Sequence, residues 1–342
     1  MIEFVIKIVL MSLLLVTSAC TPDDVMPDGE NTMRLYSTVN SQEEQNSTDV
    51  KAVLLFWELD HFTNPGTHRP FLVAKPEYGI NAYQFTPFNT QKFYPPKDNI
   101  VVAIGYSPQD LLSSQTKGEA DYMELTLPEG KLGVTTDLLA SSAPMYGSAS
   151  NPFDKKDRKE TLKFMHAQSK VTFNAQLSPS MDLAIRNVRI TLDPSVVTGS
   201  LLWVPEKERY VTKPGLQSYV LEQEEAEANI PLAKNTASSV GTVYVMAELT
   251  ELPVLITVEK SDDNFKHNTQ TTTFPALLKY DIARNPSNAD DKGKEVDKLY
   301  AGEAYTFTIY FDRSTLELVG KKEPWEDGGK ISIPIFPNVQ EK

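Results

Sequence analysis

The sequence predicts an all-β protein, a pair of tandem antiparallel β-sandwich domains carried behind an export signal. Three observations predict it. Short runs of β-branched and aromatic residues alternate with polar ones along most of the chain. Pro, Gly, Asn and Asp punctuate the intervals between those runs, and no long helical period occurs after the first twenty residues. The 342 residues suffice for about two domains. With 40% apolar and 23% charged residues, the chain is too apolar for wholesale disorder. Its 33 Lys and Arg against 46 Asp and Glu give a formal charge of −13, which repels nucleic-acid phosphates and anionic lipid surfaces. No nucleic-acid partner is expected. A single cysteine forbids an intrachain disulfide, and four histidines leave little material for a metal centre.

Residues 1–19 read as a signal peptide. Lys7 precedes an apolar run over 8–16, too short for a permanent membrane span, and the small residues Thr17, Ser18 and Ala19 suit a signal peptidase. Cys20 follows directly. That arrangement is a bacterial lipobox, in which the thiol becomes a thioether to diacylglycerol; the alternative is an ordinary signal with an incidental cysteine. Residues 20–31, rich in Pro, Asp and Gly, form a solvated tether. A protein outside the cytosol has no ATP or NAD supply, so no cofactor is expected.

The first strand pattern covers 32–39, with Met33, Leu35, Ser37 and Val39 on one side, and a polar loop follows over 40–49. Further strands are predicted at 53–59, 100–106, 170–177, 186–192, 242–248, 253–258 and 304–311. The acidic run 222–229 suits either a helical turn or two or a solvated loop. Small residues, Gly147, Asn151-Pro152 and a charged run make 141–159 the best boundary, giving domains at 32–155 and 156–342. No repeat indicates a solenoid or propeller.

Chemistry-bearing motifs are missing. There is no nucleophile elbow, phosphate loop, dinucleotide fingerprint or zinc-protease pair, so no catalytic residue is assigned and the chain is read as no enzyme. His61 and His68 flank a loop but lack a third ligand, so no metal site is expected; His166 is assigned a hydrogen-bonding role in the fold. Asp262-Asp263 and Asp290-Asp291 lack the alternating oxygens and glycine of a calcium loop. Trp57, Trp203 and Trp325 are the aromatic candidates for stacking on sugars, although Trp57, inside an apolar strand, is expected in the core.

Three stretches together resemble the fimbrillin family of Bacteroidales. The first runs from Tyr94-Pro95-Pro96 through the strand to Tyr106-Ser107-Pro108. Another joins Asp137-Leu138-Leu139-Ala140 to the passage 162–173, which contains Leu162, Phe164, His166-Ala167 and Lys170-Val171. The last spans 299–310, with Gly302 and Tyr305, and is followed by Trp325-Glu326-Asp327-Gly328. The resemblance implies two transthyretin-like sandwiches, export as a lipoprotein and assembly at the outer membrane with other fimbrial subunits. It also implies that a trypsin-like protease removes an N-terminal strand, whose groove a neighbour's strand then fills.

Residues 32–39 are the candidate removable strand, through Met33, Leu35 and Val39, and Arg34 and Lys51 are the candidate processing sites. Neither basic residue lies in the polar loop 40–49, which leaves room for an unprocessed anchor or accessory subunit. Ile331, Ile333 and Ile335 alternate with polar positions and Pro334, forming either a donor strand or an ordinary last strand. Expected partners are fimbrial subunits, the outer membrane through a lipid anchor, and a host or bacterial surface ligand. The rival reading is a surface lipoprotein that binds glycan through sandwich loops.

Overall fold

A computed structural model of the chain describes residues 35–39, 52–63, 70–74, 84–85, 94–95, 98–109, 123–127, 132–153, 162–279, 298–312 and 316–323. The architecture is all-β, with three short α-helical turns among the described residues.

The first body is an eight-stranded sheet. Its strands are β1 (Leu35–Val39), β2 (Val53–Glu58), β3 (Leu72–Ala74), β4 (Gln84–Phe85), β5 (Val101–Ser107), β7 (Leu139–Ser141), β8 (Met145–Gly147) and β9 (Leu162–His166). The order is β3-β2-β5-β7-β9-β1-β4, and β8 pairs β5 beside β7. β2 and β5 are buried on both faces, which is why their sequences are nearly continuous apolar runs. Leu54, Phe56, Val101 and Ala103 pack on one side with Tyr94 and Phe153. Val53, Leu55, Trp57, Ile104 and Tyr106 pack on the other. Gly105 permits close approach within this sheet: a Cβ there would lie 2.8 Å from the Val53 carbonyl oxygen and 2.9 Å from the Phe164 ring.

The second body is a sandwich of two four-stranded sheets. One has the order β15-β10-β18-β19, formed by β10 (Gln168–Leu177), β15 (Ala237–Met246), β18 (Ala304–Phe311) and β19 (Leu316–Glu323). The other has the order β14-β11-β16-β17, formed by β11 (Ala184–Leu192), β14 (Tyr219–Glu222), β16 (Glu251–Ser261) and β17 (Gln270–Lys279). β18 alternates buried and half-buried positions along its whole length, as a strand with one core face requires. Phe173 and Phe307 are register partners on β10 and β18, and their rings stack with centroids 5.9 Å apart. Opposite them, Ile190, Leu192, Val254 and Ile256 close the core. Burying each such side chain contributes ~1.5–3 kcal/mol. Most pairings are antiparallel; β10 with β18 and β1 with β9 run parallel.

A small sheet connects the two bodies. β12 (Thr198–Val204) and β13 (Arg209–Pro214) form a hairpin that pairs with β6 (Glu124–Thr126) in the order β13-β12-β6. The hairpin belongs to the second half of the sequence, yet Leu201, Trp203 and Tyr210 pack on the first sheet against Trp57, Ile104 and Tyr106.

The expected domain division falls at 155/156. β9 lies beyond that boundary and pairs with β7 and β1 of the first sheet, so the chain changes body at Ala167. Phe153 lies within the segment 141–159. Phe153 is fully buried, its backbone N–H donates to the Tyr94 hydroxyl at 2.7 Å, and its ring lies against Gly147, where a Cβ would come within 2.7 Å. Gly147, one of the small residues that suggest a linker, makes room for that ring.

Candidate strand-exchange site

β1 is five residues long and lies between β9 and β4. Ser37, Thr38 and Val39 pair in parallel with Leu162, Lys163 and Phe164, and Leu35 and Tyr36 pair antiparallel with Phe85 and Gln84. Parallel pairing is slightly weaker per residue, and the next strand out, β4, has two residues. Leu35 anchors the strand: it is buried with Leu54, Phe56, Leu139, Leu162 and Phe164. Removing β1 would uncover the hydrogen-bonding edge of β9 beside an apolar seat. β9 suits that role because Leu162 and Phe164 are buried while Lys163 and Met165 are exposed.

The end of β9 is fixed by a polar node. His166 Nδ1 lies 2.8 Å from Asp137 Oδ2 and 3.0 Å from Oδ1, which matches the hydrogen-bonding role expected for this histidine. The Ala167 N–H donates to the Leu138 carbonyl at 2.7 Å. Gln168 is fully buried; its Oε1 accepts from the Leu138 N–H at 3.2 Å, and its Nε2 donates to the Gly133 carbonyl at 2.6 Å and to Thr198 Oγ1 at 2.9 Å. All of that side chain's polar atoms are thus satisfied, as a buried amide requires. Asp137-Leu138 and His166-Ala167 belong to the motif whose two parts lie far apart in sequence; the fold brings them into contact. Gln168 was not singled out by the sequence reading, since a lone Gln at a strand start carries no signal of its own.

The other expected site residues divide simply. Leu35 is buried and Val39 lies in β1. Cys20, Met33, Arg34, Lys51, Ile331, Ile333 and Ile335 lie outside the described residues. Trp57 and Trp203 are 1% and 3% exposed, so neither ring is open for sugar stacking, and Trp325 lies outside the described residues. Asp263 lies at the turn after β16. It accepts from Ser261 Oγ and from the N–H groups of Lys266, His267 and Asn268, ordering the turn after β16. Among the described residues, no group of three or more His, Cys, Asp and Glu is placed to hold a metal ion. Likewise, no helix among them is long and apolar enough to cross a membrane.

The described strands form sandwich layers, with the short strand β1 seated on the first sheet. This chain belongs to the fimbrillin-like family, whose model matches residues 33–325. Among solved structures it is similar to a candidate cell adhesion protein from Bacteroides uniformis, with 14% identity, a TM-score of 0.48, and coverage of 88% of this chain and 99% of that one. It is also similar to a fimbrial protein from Bacteroides vulgatus, with 11% identity, a TM-score of 0.40, and coverage of 86% and 99%. The C-terminally truncated tip fimbrial protein Mfa3 from Porphyromonas gingivalis matches with 10% identity, a TM-score of 0.38, and coverage of 88% and 100%. No curated protein matches.

Proposed function

We propose that the chain is a structural or accessory subunit of a cell-surface fimbria, exported as a lipoprotein acylated at Cys20, held at the outer membrane, and assembled by β-strand donation. The reading assigns no catalytic step and no cofactor. The observation that carries it is the seat of β1: a short strand, parallel to β9, held in the core by Leu35. Once the strand leaves, the β9 edge offers unpaired N–H and C=O groups beside Leu162 and Phe164. An extended segment of matching alternation satisfies both the ladder and the apolar seat. Insertion of one subunit's strand into the next is heterologous and does not close, so it builds a filament. In this reading Arg34 and Lys51 are the processing sites, of which only Lys51 lies beyond Val39 so that a cut there removes residues 32–39 whole, and Ile331, Ile333 and Ile335 supply the donated face. The adhesive ligand is a host or bacterial surface.

Mass spectrometry of the mature N-terminus taken from the native cell surface tests the scheme. A start beyond Val39, as a cut after Lys51 gives, is the result expected of a polymerising subunit; a start just after Arg34 keeps β1 and counts against its removal, and a start at acylated Cys20 identifies an anchor or accessory subunit. Cys20→Ser is expected to release the protein from the membrane fraction; continued attachment removes the lipoprotein part. Protein treated with a trypsin-like protease should form ladders stable in detergent. If no ladder forms and native fimbriae lack the chain, strand donation is wrong.

A further inference from the structure

The β12–β13 hairpin stands out because its sequence position and its packing disagree. It follows β10 and β11 of the second sandwich, yet it supplies the layer over one face of the first sheet. Trp203 stacks edge-on to Tyr210 at 5.2 Å and to Phe62 at 5.6 Å; Phe62 lies 5.7 Å from Trp57, and Tyr210 lies 6.1 Å from Tyr106. The aromatic chain therefore runs from the arm into β2 and β5 without a break. Backbone bonds reinforce it: Leu127 N–H donates to the Gly199 carbonyl at 2.9 Å, and Trp203 N–H donates to the Met123 carbonyl at 2.7 Å. At the arm's root, Thr198 shares the Gln168 amide with Gly133, so the arm and the β9–β10 crossing are tied at one point.

We propose that the β12–β13 arm is an intramolecular lock, which makes the first sheet, and with it the seat of β1, conditional on folding of the second sandwich. β2 and β5 have two core faces, and the arm supplies much of one of them. Without residues 198–214 the side chains of Val53, Leu55, Trp57, Ile104 and Tyr106 lose that cover. A chain whose second half is unfinished or unfolded then presents no organised β9 edge. Strand exchange is thereby confined to fully folded subunits, a consequence that rests on the fimbrial reading above, whereas the lock itself does not.

Hydrogen exchange of the full chain as a monomer tests the lock. Trp203→Ala should speed exchange of the β2 and β5 amides by at least ~100-fold, since loss of a buried tryptophan is transmitted wherever its cover is required. Unchanged β2 and β5 protection, with the arm exchanging freely, would overturn the proposal. If Trp203→Ala does not fold, Trp203→Phe should shift the same amides in the same direction by a smaller factor. In the unmodified chain under mild denaturant, amides of the arm and of β2 and β5 should converge on one opening event. If β2 and β5 stay closed while the arm opens, the lock is wrong. These readouts need no assembly, so a chain that forms no ladders and is missing from native fimbriae but shows the coupling defeats strand donation and leaves the lock standing.

Discussion

At Gly133 an added Cβ would sit 2.0 Å from the Thr198 carbonyl oxygen and 2.8 Å from Leu127 Cδ1. Backbone cannot give way as a side-chain tip can, so the position requires glycine. Gly133→Ala is expected to cost about 1–3 kcal/mol, read as a lower denaturant midpoint, and stability unchanged within ~0.5 kcal/mol would show that the approach is looser than described. A second residue-scale device lies in the bulge of β11, where register shifts between Arg186 and Arg189 and Asn187 adopts φ 51°. Asn tolerates that conformation better than most side chains. The bulge turns the Asn187 amide onto Glu259, which Arg186 also contacts at 2.8 Å. The Asn187 amide first, and Arg186 with it, hold the Glu259 carboxyl below its usual range. Ser261 and nearby backbone N–H groups do the same for Asp263. A carboxylate depressed in the folded state stabilises above its unfolded pKa and loses that contribution as pH falls through the folded value. Urea midpoints should therefore fall as pH drops below about 4, and less steeply in Glu259→Gln than in the parent. Equal slopes for the two proteins would count against this account.

Elements whose physics is local were legible in the sequence. β10, β16 and β18 alternate over most of their length and β11 alternates on either side of its bulge, and their core faces follow from that period. β2 and β5 were legible as strands through their apolar content, but nothing in the sequence separates their two faces, because both are buried. The acidic run yields one short helix, Glu225–Ala228, too brief to carry a function. β1 was legible from alternation, whereas its parallel partner β9, 123 positions after Val39 at its nearest end by the count from 39 to 162, was not. Leu35→Ala should cost roughly 2–5 kcal/mol if the seat stays closed around the cavity, or less if β1 detaches. Either way the β9 amides should exchange faster, and β9 protection equal to that of the parent would show that β1 does not guard this edge.

Across the whole molecule, charge and connectivity act together. A chain of formal charge −13 repels copies of itself at low salt, and screening shortens the range of that repulsion. Ladder formation by the protease-treated protein should consequently speed up as ionic strength rises from ~0.01 to ~0.15 M, monitored by gel or light scattering. A rate that falls with salt would mean that complementary patches, not the net charge, govern encounter. The sequence by itself determined the all-β class, most strands, the likeness to fimbrillins and the absence of recognised enzyme motifs, because alternation, turn residues and short motifs are properties of neighbouring positions. Tertiary structure decided the rest: that β9 belongs to the first sheet, that Trp203 covers β2 and β5, and that Gln168 joins Leu138, Gly133 and Thr198. Those contacts link residues dozens of positions apart, and each is fixed only when two separately formed layers meet and their buried polar groups and ring faces must all find partners at once.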